Sequence, residues 1–174
     1  MKVNPADFIR AIPDFPKPGI IFRDITPLLS NAEALRATIG HFVDRYQDQG
    51  ITQVVGMEAR GFIFGTALAH ALGVGFVPLR KPGKLPGATL KQSYALEYGE
   101  DTLEMHSDAL TAADKVVIID DLLATGGTAL AAVQLVEKSA AQLHECAFVI
   151  TLQALPGVKR LDEAGIPHYT LCEF

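Results

Sequence analysis

Apolar positions along the chain switch between two periods, and the switches outline the architecture. Over residues 31–49, Leu35, Ile39, Phe42, Val43 and Tyr46 recur at i, i+4, i+7, i+8 and i+11, one face of a helix capped by Asn31 and ended by Gly50. "ITQVVGM" (51–57) and "VGFVPL" (74–79) are short, nearly all-apolar runs of strand length, and residues 115–119, 145–152 and 167–171 read the same way. Helices are expected between them at 61–72, 128–139 and 156–164. Strands apolar on both sides, alternating with helices, predict an α/β fold: a mostly parallel twisted sheet flanked by helices.

Two stretches fall outside that rhythm. Asn4-Pro5 has the form of a cap and first turn, opening a short helix that stops before Pro13, and the prolines up to Gly19 predict extended, irregular chain. Residues 89–107 partly alternate polar and apolar positions on both sides of Tyr98-Gly99-Glu100, which predicts a β-hairpin or flap. With no repeat, low-complexity tract or linker, residues 1–174 are expected to form a single domain, within which 1–30 and 89–107 stand apart from the helix–strand alternation.

The chemistry concentrates in "VVIIDDLLATGGT", residues 116–128. Four β-branched residues suit a central strand buried on both faces, and ligands of open α/β sheets gather just past the carboxyl ends of such strands. Asp120 and Asp121 are expected there. Side by side they repel, so they need partners outside the pair, and ribose hydroxyls or a divalent cation would serve. Ala124, Thr125, Gly126, Gly127 and Thr128 follow. Small side chains expose backbone N–H groups, the glycines allow the turn, and the next helix presents its positive end. A sugar 5-phosphate would fit, hydroxyls on the acids and phosphate in the loop. A mere capping junction needs one such residue, not two acids and two threonines. Neither G-x-x-x-x-G-K-[ST] nor G-x-G-x-x-G occurs.

Composition narrows the classes further. The 174 residues are 49% hydrophobic and 20% charged, and 15 basic against 20 acidic residues give a net charge of −5, unlike a nucleic-acid-binding domain. No run approaches membrane-spanning length, the N-terminus lacks the apolar core of a signal peptide, and Cys146 and Cys172 read as buried free thiols. A cytoplasmic protein with no membrane or nucleic-acid partner is expected. The histidines, His41, His70, His106, His144 and His168, show no metal-ligand spacing.

The acid pair and T-G-G-T loop resemble the phosphoribosyl-pyrophosphate signature of type I phosphoribosyltransferases. "FPKPGIIFRDITPLL" (15–29), "GMEARGFIFG" (56–65), "RKPGKLPG" (80–87) and "SYALEYG" (93–99) extend the resemblance, from about residue 12 to the C-terminus, toward the adenine-specific family. The resemblance implies transfer of a phosphoribosyl group from phosphoribosyl pyrophosphate to adenine, giving AMP and pyrophosphate, with Mg²⁺ carried by the substrate and touching Asp120 and Asp121 at most. It implies a homodimer, a base-recognition hood over residues 1–30 and a flexible flap over 89–107. It assigns Arg60, Arg80, Lys81 and Lys84 to pyrophosphate, in part across the dimer interface. Ile21, Phe22, the backbone of Arg23, and Leu122 would form the adenine pocket, and Glu97 beside Tyr98 in the flap would be the catalytic carboxylate with Asp120 and Asp121. Without the resemblance, Ile21 and Phe22 read as strand residues, Arg80, Lys81 and Lys84 as a solvated loop, and Glu97 as a hairpin glutamate. Two rival readings remain open: a transferase for a 6-oxopurine such as hypoxanthine, xanthine or guanine, and a regulator that senses phosphoribosyl pyrophosphate.

Overall fold

The computed structural model describes residues 3–96 and 98–174. A 3-10 turn over Pro5–Phe8 leads to β1 (Arg10–Ile12), β2 (Phe22–Asp24), α1 (Thr26–Ser30) and α2 (Ala32–Tyr46). Then come β3 (Gln53–Met57), α3 (Gly61–Leu72), β4 (Gly75–Leu79), and the pair β5 (Thr89–Ala95) and β6 (Glu100–His106). The chain closes with β7 (Lys115–Leu123), α4 (Gly127–Lys138), β8 (Gln142–Thr151), α5 (Gly157–Glu163) and β9 (His168–Glu173).

Five strands make one parallel sheet in the order β4-β3-β7-β8-β9. Val116–Ile119 is wholly buried at its centre, and its side chains divide between two cores. Val116 and Ile118 pack with Ala132 and Val136 of α4, while Val117 and Ile119 pack with Phe42 of α2 and Phe64 of α3. A strand covered on both faces has to be apolar at every position, which is why the sequence shows a run there and not an alternation. From β3 the chain crosses to β4 on one side, and from β7 to β8 on the other. The carboxyl ends of β3 and β7 therefore flank the point where the winding reverses, the place where such sheets open a crevice.

Asn31 caps α2 as expected, its side chain accepting from the Glu33 and Ala34 N–H groups, but α2 ends at Tyr46, short of Gly50; Gly73 closes α3 in the left-handed conformation. The hairpin is formed, β5 pairing antiparallel with β6 from Thr89↔His106 to Ala95↔Glu100. Two expectations need correcting. The N-terminal helix is only a 3-10 turn capped by Asn4, because Arg10–Ile12 satisfies its backbone by pairing with β2. The central strand does not stop at Ile119; β8 continues alongside it, pairing Asp120 with Phe148 and Leu123 with Thr151. Both acids therefore belong to β7, not to the loop beyond it.

Candidate active site

Two segments meet at the reversal point, the loop Glu58–Arg60 after β3 and the end of β7 from Asp120 with the 124–128 turn that follows it. A Cβ on Gly61 would lie 2.8 Å from the Ile119 carbonyl oxygen and 3.0 Å from Asp120 Oδ1, so α3 starts hard against β7 only because that residue is glycine. This approach brings Arg60 Nε to 2.8 Å from Asp121 Oδ2. Asp121 is buried, whereas the Arg60 side chain remains 47% exposed and can still reach a ligand. Asp120 Oδ1 accepts the Asp121 N–H at 2.8 Å. Burial, then the neighbouring Asp121 charge, push the Asp120 carboxyl well above its usual range, with Arg60 opposing in part.

The small-residue loop closes the other side. Gly126 sits at φ +83°, α4 starts at Gly127, and no side chain caps it, so its first-turn N–H groups are left for a ligand. A cavity of about 80 Å³ is lined by Asp120, Leu122, Ala124, Thr125, Gly126 and Thr128 among others, so acid and loop share one space. Over the loop lies the flap: a Cβ on Gly127 would be 3.1 Å from the Tyr94 ring.

The cationic loop after β4 is tied down rather than free. Arg80 Nη2 donates to Glu58 Oε1 at 3.0 Å and the Lys81 N–H to Glu58 Oε2 at 2.8 Å. Burial works to raise the Glu58 carboxyl, but these hydrogen bonds outweigh it and hold it below its ordinary value. Lys81 Nζ donates to Asp101 and, at 3.0 Å, to the Tyr94 hydroxyl, which joins the loop to both flap strands. Among the described residues, Arg80 Nε is buried without a hydrogen-bond partner.

The N-terminal hairpin reaches the same region. Phe22 lies 5.8 Å from the Arg60 guanidinium and packs edge-on to Phe15 at 5.2 Å, while Ile21 is 51% exposed. Arg23 stacks on the Phe174 ring at 4.2 Å. The hairpin is anchored by Arg10 Nε on Asp24 Oδ2 at 3.0 Å; hydrogen bonds from Thr26, then Arg10, lower the Asp24 carboxyl to about 2. Of the candidate residues, Arg60, Asp120, Asp121, Leu122 and 124–128 are thus gathered at one crevice, with Phe22 alongside. Arg80 and Lys81 are connected to it through Glu58 and Tyr94. Tyr98 is 83% exposed, and Glu97 lies outside the described residues.

Sequence reasoning missed the carboxylates that hold the cations. Glu58 and Asp101 were legible only as charges, since pairing across 22 and 20 positions leaves no local signal. It also passed over Arg160, whose Nη1 donates to the Thr125 carbonyl at 2.8 Å.

Comparison with known proteins agrees with this geometry. Residues 25–163 match the phosphoribosyl transferase domain family. The adenine phosphoribosyltransferase of Idiomarina loihiensis is 60% identical over 168 residues, covering 97% of this chain and 95% of the relative. The crystal structure of the Rhodothermus marinus adenine phosphoribosyltransferase superposes with a TM-score of 0.90 at 53% identity, covering 97% of this chain and 96% of that one. The Saccharomyces cerevisiae enzyme, solved with D-2,5-dideoxy-2,5-imino-altritol 1,6-bisphosphate and adenine, gives a TM-score of 0.89 at 42% identity over 95% of both chains.

Proposed function

The chain belongs to the phosphoribosyltransferase family, among the adenine phosphoribosyltransferases, and from that premise we propose how its residues divide the work. The protein transfers the 5-phosphoribosyl group of phosphoribosyl pyrophosphate to adenine, giving AMP and pyrophosphate.

As pyrophosphate leaves, C1′ of the ribose gains oxocarbenium character, as in glycoside cleavage. Backbone N–H groups of 124–128 and the Thr125 and Thr128 hydroxyls hold the 5-phosphate, Asp120 and Asp121 hold the ribose hydroxyls, and the Asp121 charge opposes the positive charge developing at C1′. Arg60 neutralises the leaving group, with Arg80, Lys81 and Lys84 adding charge from the loop after β4. Ile21, Phe22 and Leu122 pack on the purine, and the Arg23 backbone pairs with its Watson–Crick edge. That pairing favours a 6-amino donor; a 6-oxopurine would leave polar groups unmatched, a mismatch able to cost about 10⁴–10⁵ in discrimination. Glu97, which matches the family's catalytic carboxylate, relays or stabilises departure of the N9 proton, and a closing flap keeps water from C1′.

Among the described residues no group of three or more His, Cys, Asp or Glu is placed to hold a metal. Mg²⁺ commonly keeps waters and takes few protein carboxylates, so it would come carried by the substrate, with Asp120 and Asp121 as the carboxylates it could touch. Bound in that way, it would neutralise charge on the pyrophosphate. A homodimer and a cytoplasmic setting complete the proposal. Ile63, 42% exposed one turn after Arg60, offers apolar surface beside the site for a second subunit. Cys146 and Cys172 are unpaired and buried, their thiols pushed up to about 12 and about 11 by burial, which suits a reducing compartment.

The observation that carries the reading is the cavity that Asp120 shares with Ala124, Thr125, Gly126 and Thr128. Steady-state assays with adenine, guanine, hypoxanthine and xanthine test it: adenine is expected to dominate kcat/KM, and preference for an oxopurine would overturn the base assignment.

A further inference from the structure

Two carbonyls of the phosphate loop are held from behind by α5. The Gly157 N–H donates to the Ala124 carbonyl at 2.9 Å, and Arg160 Nη1 donates to the Thr125 carbonyl at 2.8 Å. A trans peptide unit is planar, with its C=O and the following N–H pointing opposite ways. Holding the Ala124 and Thr125 carbonyls toward α5 therefore aims the Thr125 and Gly126 N–H groups away from α5, and both residues line the cavity shared with Asp120.

The packing is built for this contact. A Cβ on Gly157 would stand 2.4 Å from the Ala124 oxygen and 2.9 Å from Leu123 Cγ, so any larger residue would push α5 off the loop. On the loop side, a Cβ on Gly126 would be 3.2 Å from Gly157 Cα and 3.7 Å from Arg160 Cβ, and one on Gly127 would be 3.9 Å from Arg160 Nη1. The Arg160 guanidinium thus lies against the back of the 124–128 loop, which itself carries no cation.

We propose that Arg160 is a positioning residue for the phosphoribosyl donor. Its hydrogen bond fixes the Thr125–Gly126 peptide before substrate arrives, so the phosphate meets donors already aimed and little ordering remains to be done on binding. Its charge adds a favourable field behind a cradle made of neutral groups. The inference rests on the phosphate-loop reading of the proposed function.

The test uses the full-length chain with Arg160→Ala, Arg160→Lys and Arg160→Gln, assayed for KM toward phosphoribosyl pyrophosphate and adenine and for AMP affinity by calorimetry. Losing a charge-assisted hydrogen bond at this place is expected to raise KM for phosphoribosyl pyrophosphate and Kd for AMP roughly ten- to a hundredfold in Arg160→Ala. KM for adenine should stay within about twofold. Arg160→Lys should recover most of the loss, because an ammonium keeps both charge and donor, and Arg160→Gln should recover less. If Arg160→Ala does not fold, the Lys and Gln variants decide alone: equal AMP affinity in the two overturns the proposal, and tighter binding by Lys supports it. The proposal also fails if Arg160→Ala binds AMP like the unaltered protein, or if both KM values rise together with a falling Tm, the mark of a structural tie. A failure of the functional reading looks different, because the unaltered chain itself would then neither turn over adenine nor bind AMP.

Discussion

Arg60 Nε and Asp121 Oδ2 stand 2.8 Å apart across the crevice, joining the loop after β3 to the end of β7. In the proposed reaction one binds the leaving group and the other the ribose, so the pair couples the two ends of the bond that breaks. Removing either partner leaves the other without its counter-charge. Arg60→Ala and Asp121→Asn are each expected to lower kcat/KM by on the order of 10²–10³. Their double mutant should fall short of the product of the two, with a coupling of roughly 0.5–3 kcal/mol in a double-mutant cycle. Additive losses would mean that the contact is incidental.

Asp120 should show function set against stability. Its carboxyl is raised by burial and by Asp121, so between the ordinary carboxylate range and its own higher value the unfolded chain is ionised while the folded one holds its proton. The folded state is then penalised increasingly as pH rises through that window. Asp120→Asn removes the penalty and keeps an oxygen for the Asp121 N–H. Its Tm should exceed that of the unaltered protein near pH 7, by about 2–4 °C for each kcal/mol gained, with the gap closing toward pH 4. Activity should fall steeply while the far-UV spectrum stays native. Thermal melts across pH check both.

Gly61→Ala tests the close approach of α3 to β7. The added methyl would meet backbone at 2.8 Å, which cannot yield as a side-chain tip can. The helix start has to move, carrying Arg60 with it, and kcat/KM is expected to drop about 10²-fold or more for a displacement of an ångström. Retained activity would show that Arg60 is not placed by this contact.

These contacts also mark how far the sequence could be read. The parallel sheet was legible because β3 and β7 are buried on both faces and therefore run apolar, and α2 because Leu35 through Tyr46 keep one period. The acid pair and the small-residue loop 124–128 were legible because they are contiguous in the chain, and a local motif records what is contiguous. The extension of β7 through Asp120 and Asp121 was not, since two acids end any apolar run, and only β8 alongside supplies their pairing. Nor was the bracing by Glu58, Asp101 and Arg160 legible, because it joins residues distant in the chain through side chains that also suit a solvated surface.

Away from the crevice, Glu145 accepts Arg45 Nε at 2.7 Å and the Tyr46 hydroxyl at 2.6 Å, binding α2 to β8. Burial acts to raise the Glu145 carboxyl, yet the Arg45 and Tyr46 hydrogen bonds prevail and hold it below its ordinary value. A depressed carboxyl contributes stability above the ordinary range near pH 4, and that contribution is lost as pH falls through the lowered value. Glu145→Gln is expected to cost about 1–3 kcal/mol at pH 7 in denaturant titrations, with the two curves converging at lower pH and activity little changed. A constant difference at all pH values would exclude the ionised carboxylate as the cause.

The most direct measurement is a crystal structure of the chain soaked with AMP. The nucleotide phosphate should sit among the N–H groups of residues 124–128, with the ribose hydroxyls on Asp120 and Asp121 and the purine between Phe22 and Leu122. AMP bound at another place on the molecule, with 124–128 empty, would contradict the account.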